Sequence, residues 1–302
     1  MRELALEGVL LRSWALTHGW KPRTLERTVV RDGWQRLSQG TWLAPGTQVD
    51  LRVRLVAEQW SAPFLVVSHS AAAWLWGVEM PSYEAEFTAE RRTLGRPRAG
   101  VRCLALTERD IAVVRRLRCT TVDRTLGDLL RSADPDAAVM AVDSALTRRR
   151  VQNCRRGPLT TLARVTAEAS RKGPHGRARA LALLRLVDPH SGSPAETLAR
   201  LRIHEAGLHP TSQAHLTTPD GTSVRPDFLF PAEGVAVEIE GYAYHGSRTA
   251  HARDLARFND LQLCPEIRLV LRFTANDVRD SPERMVARIR HALAQASLPR
   301  RR

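Results

Sequence analysis

Cysteine is scarce. Cys103, Cys119, Cys154 and Cys264 lie far apart, form no CxxC pair and outline no disulfide framework. This excludes a disulfide-stapled scaffold and makes a reduced cytoplasm the expected compartment. Long apolar runs are missing too: none approaches the ~20 residues of a membrane helix, so no membrane partner is expected. The opening MRELALEGVLLRSW sets acids among its apolar residues and has no small-residue cleavage pattern, so a secretory leader is not expected. Lysine occurs only at Lys21 and Lys172, which leaves the basic charge to arginine. Tryptophan is absent after residue 76; all seven residues lie within that stretch and are expected in the core rather than as stacking platforms.

What is present is a 302-residue chain with 43% hydrophobic content, enough for two or three globular domains, and a net charge of +14. The placement of that charge is informative. Residues 148 to 185 hold eleven basic side chains, among them Arg148, Arg149 and Arg150, against one acid, Glu168. A focused positive segment attracts polyanions, most commonly nucleic acid. The other reading is a solvated helix face in an arginine-rich chain.

Residues 1–50 read as short helices followed by a hairpin. LEGVLLRSWAL has helical spacing, and KPRTLERTVVRDG starts at Pro22 and stops at Gly33. WQRLSQGTWLAPG follows as two strands around Ser38, Gln39 and Gly40. Helix, turn, helix and hairpin is the pattern of a winged helix, whose second helix would offer Arg23, Thr24, Arg27 and Arg31 to DNA. The alternative is an ordinary helical subdomain, and the seven basic and five acidic residues of this segment do not decide between them. The stretch from GVLLRSWAL to TWLAP resembles the N-terminal domain of AbiEi-type antitoxins of type IV toxin–antitoxin systems. The resemblance continues more loosely through FLVVSHSAAAWLWGV, TTVDRTLGDLL and AAVMAVDSALTRRR. It implies a winged helix that binds operator DNA, with a cognate toxin or a second copy of the chain as further partners.

Residues 51–187 are expected to form a mixed α/β middle region. PFLVVSH reads as a strand, and residues 136–149 as a helix with Val139, Val142 and Leu146 on one face. Asp143, close to that face, is expected to be a buried structural acid. DPHSGSP, residues 188–194, is a loop by composition and the expected boundary to a third domain over 193–302.

The chemistry concentrates in RPDFLFPAEGVAVEIEGYAYHG. If VRPDFLF and VAVEIEG are antiparallel strands joined by Pro231–Gly234, Phe230 pairs with Val235 and Asp227 falls opposite Glu238. Opposed residues have Cβ atoms ~4.5–5.5 Å apart. Alternation puts Glu240 on the face of Glu238. Three carboxylates so placed repel one another unless a cation intervenes, and Mg²⁺ uses one or two carboxylates together with waters and phosphate oxygens. The competing reading is a charged sheet edge facing water.

Neighbouring segments add candidates. In SPAETLARLRIHEAGL, Ser193 and Glu196 form a capping box, a sufficient structural role for Glu196, yet the same helix could aim it at a metal. In SRTAHARDLARFNDLQLC, Leu255, Phe258 and Gln262 share a face, so Gln262 either reaches the site or satisfies a backbone group. IRLVLRF reads as a strand with Arg272 as a phosphate or carboxylate partner.

The order helix, hairpin, helix, strand, helix, with PDF, VEIEG, YHG, ARDLARFNDLQ and LRFTANDV, resembles the restriction-endonuclease-like domain related to very-short-patch repair (Vsr) enzymes. It implies the PD-(D/E)xK nuclease superfamily: a mixed sheet flanked by helices that hydrolyses phosphodiesters with Mg²⁺ or Mn²⁺. Asp227 matches the motif aspartate, Glu238 the first acid of the E-x-K element and Glu196 the helix acid, which would make these three the metal ligands. Glu240 stands where many relatives carry the catalytic lysine. His245 in YHG carries two readings, acid–base help or a structural role. The whole chain is therefore expected to be an α+β protein. Two functions follow: a metal-dependent DNA endonuclease targeted by its N-terminal domain, or an antitoxin-like repressor with an inactive nuclease-like domain.

Overall fold

The computed structural model describes residues 1–89, 99–151, 154–240 and 248–297. It is a mixed α/β chain of the α+β kind. Two compact units divide it: Met1–Ala133 with Arg164–Ala180, and Asp134–Ala163 with Leu181–Arg302.

The first unit opens with β1 (Val9–Leu11), α1 (Arg12–Thr17), α2 (Pro22–Arg31), β2 (Gln35–Ser38) and β3 (Thr41–Leu43), the strands ordered β1-β3-β2. Pro22 sits in the first turn of α2, where its missing N–H costs nothing. Leu25 and Val29, one turn apart, bury against Leu10, Ala15, Trp34 and Trp42. The expected first helix is half strand. Val9, Leu10 and Leu11 are all buried and pair with Leu43, Trp42 and Thr41, because three consecutive apolar residues suit a strand covered on both faces. Trp14 departs from the core expectation: it is 46% exposed and its ring lies tilted against His18.

The chain continues through α3 (Leu51–Ser61), β4 (Val66–Val67), α4 (His69–Trp76), β5 (Phe87–Ala89), β6 (Val101–Cys103), β7 (Ile111–Val114), β8 (Leu117–Thr120) and α5 (Val122–Ser132). These strands form a five-stranded mixed sheet ordered β6-β5-β4-β8-β7. Three arginines of the basic window that belong to this unit already have partners. Arg164 pairs with Asp123, Arg171 with Asp110 and Glu168, and Arg179 donates to the carbonyls of Leu130 and Ala133. Burial pushes the Asp110 carboxyl up, but hydrogen bonds from Arg171 and Thr107 outweigh it and hold the group at about 2. The basic window is therefore not one continuous face.

The second unit begins with α6 (Pro135–Leu146), on which Val139, Val142 and Leu146 are buried, and the hairpin β9 (Arg149–Val151) and β10 (Cys154–Arg156). Helices α7 (Leu162–Ala169) and α8 (Arg177–Leu184) span the residues where the chain passes between units. Next come α9 (Pro194–Glu205), β11 (Thr211–Ser212), β12 (Leu216–Thr217), β13 (Ser223–Val224), β14 (Phe228–Phe230), β15 (Val235–Glu240), α10 (Arg248–Leu263), β16 (Leu269–Thr274), α11 (Ala275–Asp280) and α12 (Pro282–Ala296). The central sheet runs β11-β14-β15-β16, with β16 parallel to β15. Along β15, Val235, Val237 and Ile239 pack with α9, α11 and α12, whereas Ala236 packs with Leu261 of α10 and with Cys264 just after that helix. Both faces are thus covered, and Glu238 and Glu240 lie on the α10 side by the two-residue period.

The expected boundary at 188–194 is a loop, but it falls inside this unit. Asp143 of α6 is fully buried; it pairs with Arg200 of α9 at 2.8 Å and accepts hydrogen bonds from Thr197 and from the Asp188 N–H. That bond set joins α6 to α9, so a domain starting at residue 193 would tear it apart.

Candidate carboxylate site

The hairpin register is the expected one: Phe230 pairs with Val235, Leu229 with Ala236 and Phe228 with Val237. Gly234 makes the connection possible. Its φ is +67°, and a Cβ there would lie 2.6 Å from the Glu266 carbonyl oxygen. Beyond Phe228 the main-chain ladder gives way to side chains. The Ile239 N–H donates to Asp227 Oδ2 at 2.7 Å, and the Asp227 N–H donates to Glu238 Oε1 at 3.1 Å. Each acid therefore caps the opposite strand, which fixes both carboxylates side by side. Both are buried, at 5% and 8% exposure.

Glu196 joins them from the first turn of α9. Ser193 caps that helix by accepting from the Glu196 N–H, and the Glu196 carboxylate turns back to accept from the Gly192 N–H at 2.7 Å. A Cβ at residue 192 would stand 2.9 Å from Glu196 Oε1, so glycine there lets the acid approach. The capping role and the place in the cluster coexist.

Two residues without a sequence signal complete the site. Gln213, with a left-handed φ of +49°, follows β11; its amide nitrogen donates to Asp227 Oδ1 at 3.0 Å and to Glu196 Oε2 at 3.2 Å. Arg257 of α10 lies 3.1 Å from Glu238 Oε2 and 3.5 Å from Asp227 Oδ1. Glu196, Gln213, Asp227 and Arg257 line an open cleft of about 530 Å³ whose other walls include Ser223, Arg225 and Asp260.

Other expected members stand elsewhere. Glu240 is bound by Arg272 at 2.7 Å, and the Arg272 guanidinium also lies over the Phe258 ring; strand β16 supplies this cation directly beside β15, so neither residue lines the cleft. Gln262 is exposed, because the buried residues at this end of α10 are Leu261 and, just after the helix, Cys264; Leu255 is 47% exposed. His245 lies outside the described residues. Arg148 is exposed, but Arg149 is only 5% exposed, turned inward, and its charge acts on Glu196. Arg150 lies on β9 with its side chain outside the described set. On α2, Arg23, Thr24, Arg27 and Arg31 all face solvent, with Arg31 already paired to Asp32 at 2.8 Å.

The cluster is electrostatically overloaded. Burial first, then the nearby Asp227 charge, raises Glu196 to about 7 and Glu238 to about 7; burial also raises Asp227, against the pull of the Ile239 N–H and Arg257. An acid raised in the folded state contributes stability that is fully present below its ordinary value of 4.5 and is lost as pH rises through about 7. Thermal melting of the chelator-treated protein should therefore favour acid over alkaline buffer between about pH 5 and about pH 8. The ceiling on this effect is ~1.4 kcal/mol for each tenfold gain in proton affinity on folding. Glu238→Gln should flatten that slope relative to wild type. An identical slope in the variant would remove Glu238 from the titrating set.

No family model matches the chain. Two curated proteins of Mycobacterium tuberculosis are similar to it, "Uncharacterized protein MT2308" of strain CDC 1551 / Oshkosh and "Uncharacterized protein Rv2248" of strain ATCC 25618 / H37Rv. Each is 27% identical over 279 residues, covering 91% of this chain and 97% of the relative. Among solved structures, the RV2827C protein from Mycobacterium tuberculosis aligns with a TM-score of 0.40 and 17% identity, over 70% of this chain and 84% of the other. Among the described residues, no helix is long and apolar enough to cross a membrane.

Proposed function

We propose that this protein is a metal-dependent DNA endonuclease, with α2 directing it to duplex DNA and the carboxylate cleft hydrolysing the phosphodiester. The observation that carries this reading is the buried pair Asp227 and Glu238, locked side by side by each other's strand, with Asp227 lining a cleft that Glu196, Arg225 and Arg257 also line. The donor set fits a hard divalent cation: carboxylate oxygens only, with a charge excess that already draws in protons and a guanidinium. Asp227 and Glu238 would hold Mg²⁺ or Mn²⁺, with Glu196 linked to Asp227 through Gln213; the ion when bound supplies charge neutralisation and an acidified water. Gln213 sets the spacing between Glu196 and Asp227. Arg225, on the cleft wall, would hold phosphate oxygens. Arg148 and the β9–β10 hairpin add backbone attraction that falls with salt.

A specific observation favours a second reading, an antitoxin-like repressor. Among the described residues, no three His, Cys, Asp or Glu side chains are grouped to hold a metal, and Glu240, at the position where many members of the resembled nuclease superfamily carry lysine, is paired with Arg272. The experiment that separates the readings gives the full chain duplex DNA and plasmid with Mg²⁺ or Mn²⁺. Cleavage is the expected result; binding without cleavage transfers the proposal to the repressor. In the same assay Arg23→Ala/Arg27→Ala should erase preference among duplex sequences. Both side chains lie on one exposed face of α2, and a bidentate base contact carries ~1–3 kcal/mol of discrimination. Preference that survives this change would take α2 out of the groove.

A further inference from the structure

Arg257 differs from the carboxylates of the cleft. It is 48% exposed, whereas the acids it bridges, Asp227 and Glu238, are 6% and 11% exposed at their side chains. One terminal nitrogen, Nη2, makes each of four contacts: 3.2 Å to Glu238 Oε1, 3.1 Å to Glu238 Oε2, 3.5 Å to Asp227 Oδ1, and a hydrogen bond of 3.0 Å to the Arg225 carbonyl. This is monodentate contact. The fork geometry that makes arginine–carboxylate pairs strong and permanent is not used. The anchor, by contrast, is firm. Arg257 is one helical turn before Leu261, which is fully buried, so the Cα is fixed while the guanidinium sits on a long stem at the mouth of the cleft. Charge does not balance either. One guanidinium faces Asp227 and Glu238, with Glu196 coupled to Asp227 through Gln213.

We propose that Arg257 is an exchangeable counter-ion: at rest it occupies the place between Asp227 and Glu238 where a divalent cation would bind, and cation binding turns its guanidinium into the cleft to hold a phosphate of the nucleic acid. The inference rests on the nuclease reading and adds regulation to it. A divalent ion bridging Asp227 and Glu238 would need the position that Nη2 now holds, 3.1 Å from Glu238 Oε2 and 3.5 Å from Asp227 Oδ1, so binding there moves the guanidinium off that position. Once released, the side chain keeps its anchor and has Ser223 and Arg225 beside it on the cleft wall. In the absence of metal the cleft holds phosphate poorly, because Arg257 is engaged with the acids and leaves Arg225 to meet the anion without it.

The test uses the full chain and Mn²⁺ alone, followed by calorimetric titration. Arg257→Gln removes the competitor and should bind Mn²⁺ about tenfold more tightly than wild type, equivalent to ~1.4 kcal/mol. Arg257→Lys keeps the charge and should stay near wild type. Duplex DNA binding, measured with Ca²⁺ in place of Mn²⁺, should move the other way and weaken about tenfold in Arg257→Gln. Tighter metal binding together with weaker DNA binding is a crossing that loss of a merely structural contact would not produce. Unchanged Mn²⁺ affinity in Arg257→Gln, with affinity lost in Asp227→Asn, overturns the exchange and leaves the nuclease reading standing. Mn²⁺ binding that Asp227→Asn leaves untouched overturns both, because the site itself would then be elsewhere.

Discussion

Glu238→Gln is expected to lower metal-dependent plasmid cleavage by at least about a thousandfold while the apo protein melts no lower than wild type. The first half follows from chemistry. A carboxylate that holds the cation contributes to charge neutralisation and water activation together, effects worth several kcal/mol, and each ~1.4 kcal/mol is tenfold in rate. The second half follows from the electrostatics of the resting site. Burial and the neighbouring Asp227 push Glu238 up to about 7, so at neutral pH its charge is held against a cost. The amide keeps the shape, still accepts from the Asp227 N–H through its oxygen, and removes one negative charge. Activity and stability should therefore move in opposite directions, which separates loss of chemistry from loss of fold. Mn²⁺ should raise the melting temperature of wild type but not of the variant; at a hundredfold excess over Kd the stabilisation is ~2.7 kcal/mol. Equal metal-induced shifts in both proteins would take Glu238 out of the ligand set.

The hairpin was legible because local rules specify it. A four-residue connection ending in Gly234 and a strict two-residue period leave one register, and that register places Asp227 against Glu238. Glu196 was legible through its cap. Gln213 was not, since a residue in a loop at φ +49° has no periodicity to mark it, and its role depends on two partners 14 and 17 residues away. Arg257 was hidden by the choice of helix face. Leu255, Phe258 and Gln262 make a stripe on paper, but the face that meets the sheet is Leu261 and Cys264, and Arg257 is one turn upstream on that side. The inward turn of Arg149 was equally invisible: in a run of three arginines nothing local says which one is buried.

The assignment of α6 to the second unit was the hardest feature to read, and it leads to the largest expected effect on stability. Arg200→Ala should destabilise the second unit by ~3–5 kcal/mol, the range for removing one partner of a buried ion pair. Arg200 is 4% exposed at its side chain and Asp143 is fully buried, with 2.8 Å between Nη2 and Oδ2. Arg200 also donates to the Leu186 carbonyl and lies 3.8 Å from Asp188, so one side chain ties α6, the segment after α8 and α9 together. Burial already pushes the Asp143 carboxyl up to about 6 with Arg200 in place. Without Arg200, the acid either ionises uncompensated or takes up a proton near neutral pH, and the variant should regain stability on mild acidification more steeply than wild type. The double change Asp143→Asn/Arg200→Met removes both charges and should recover much of the loss, because an apolar replacement for a buried pair is often near neutral. Chemical denaturation of the three proteins at two pH values measures all of this. If Arg200→Ala costs less than about 1 kcal/mol, the range of a surface pair, then α6 is held to α9 by apolar packing and not by this bridge.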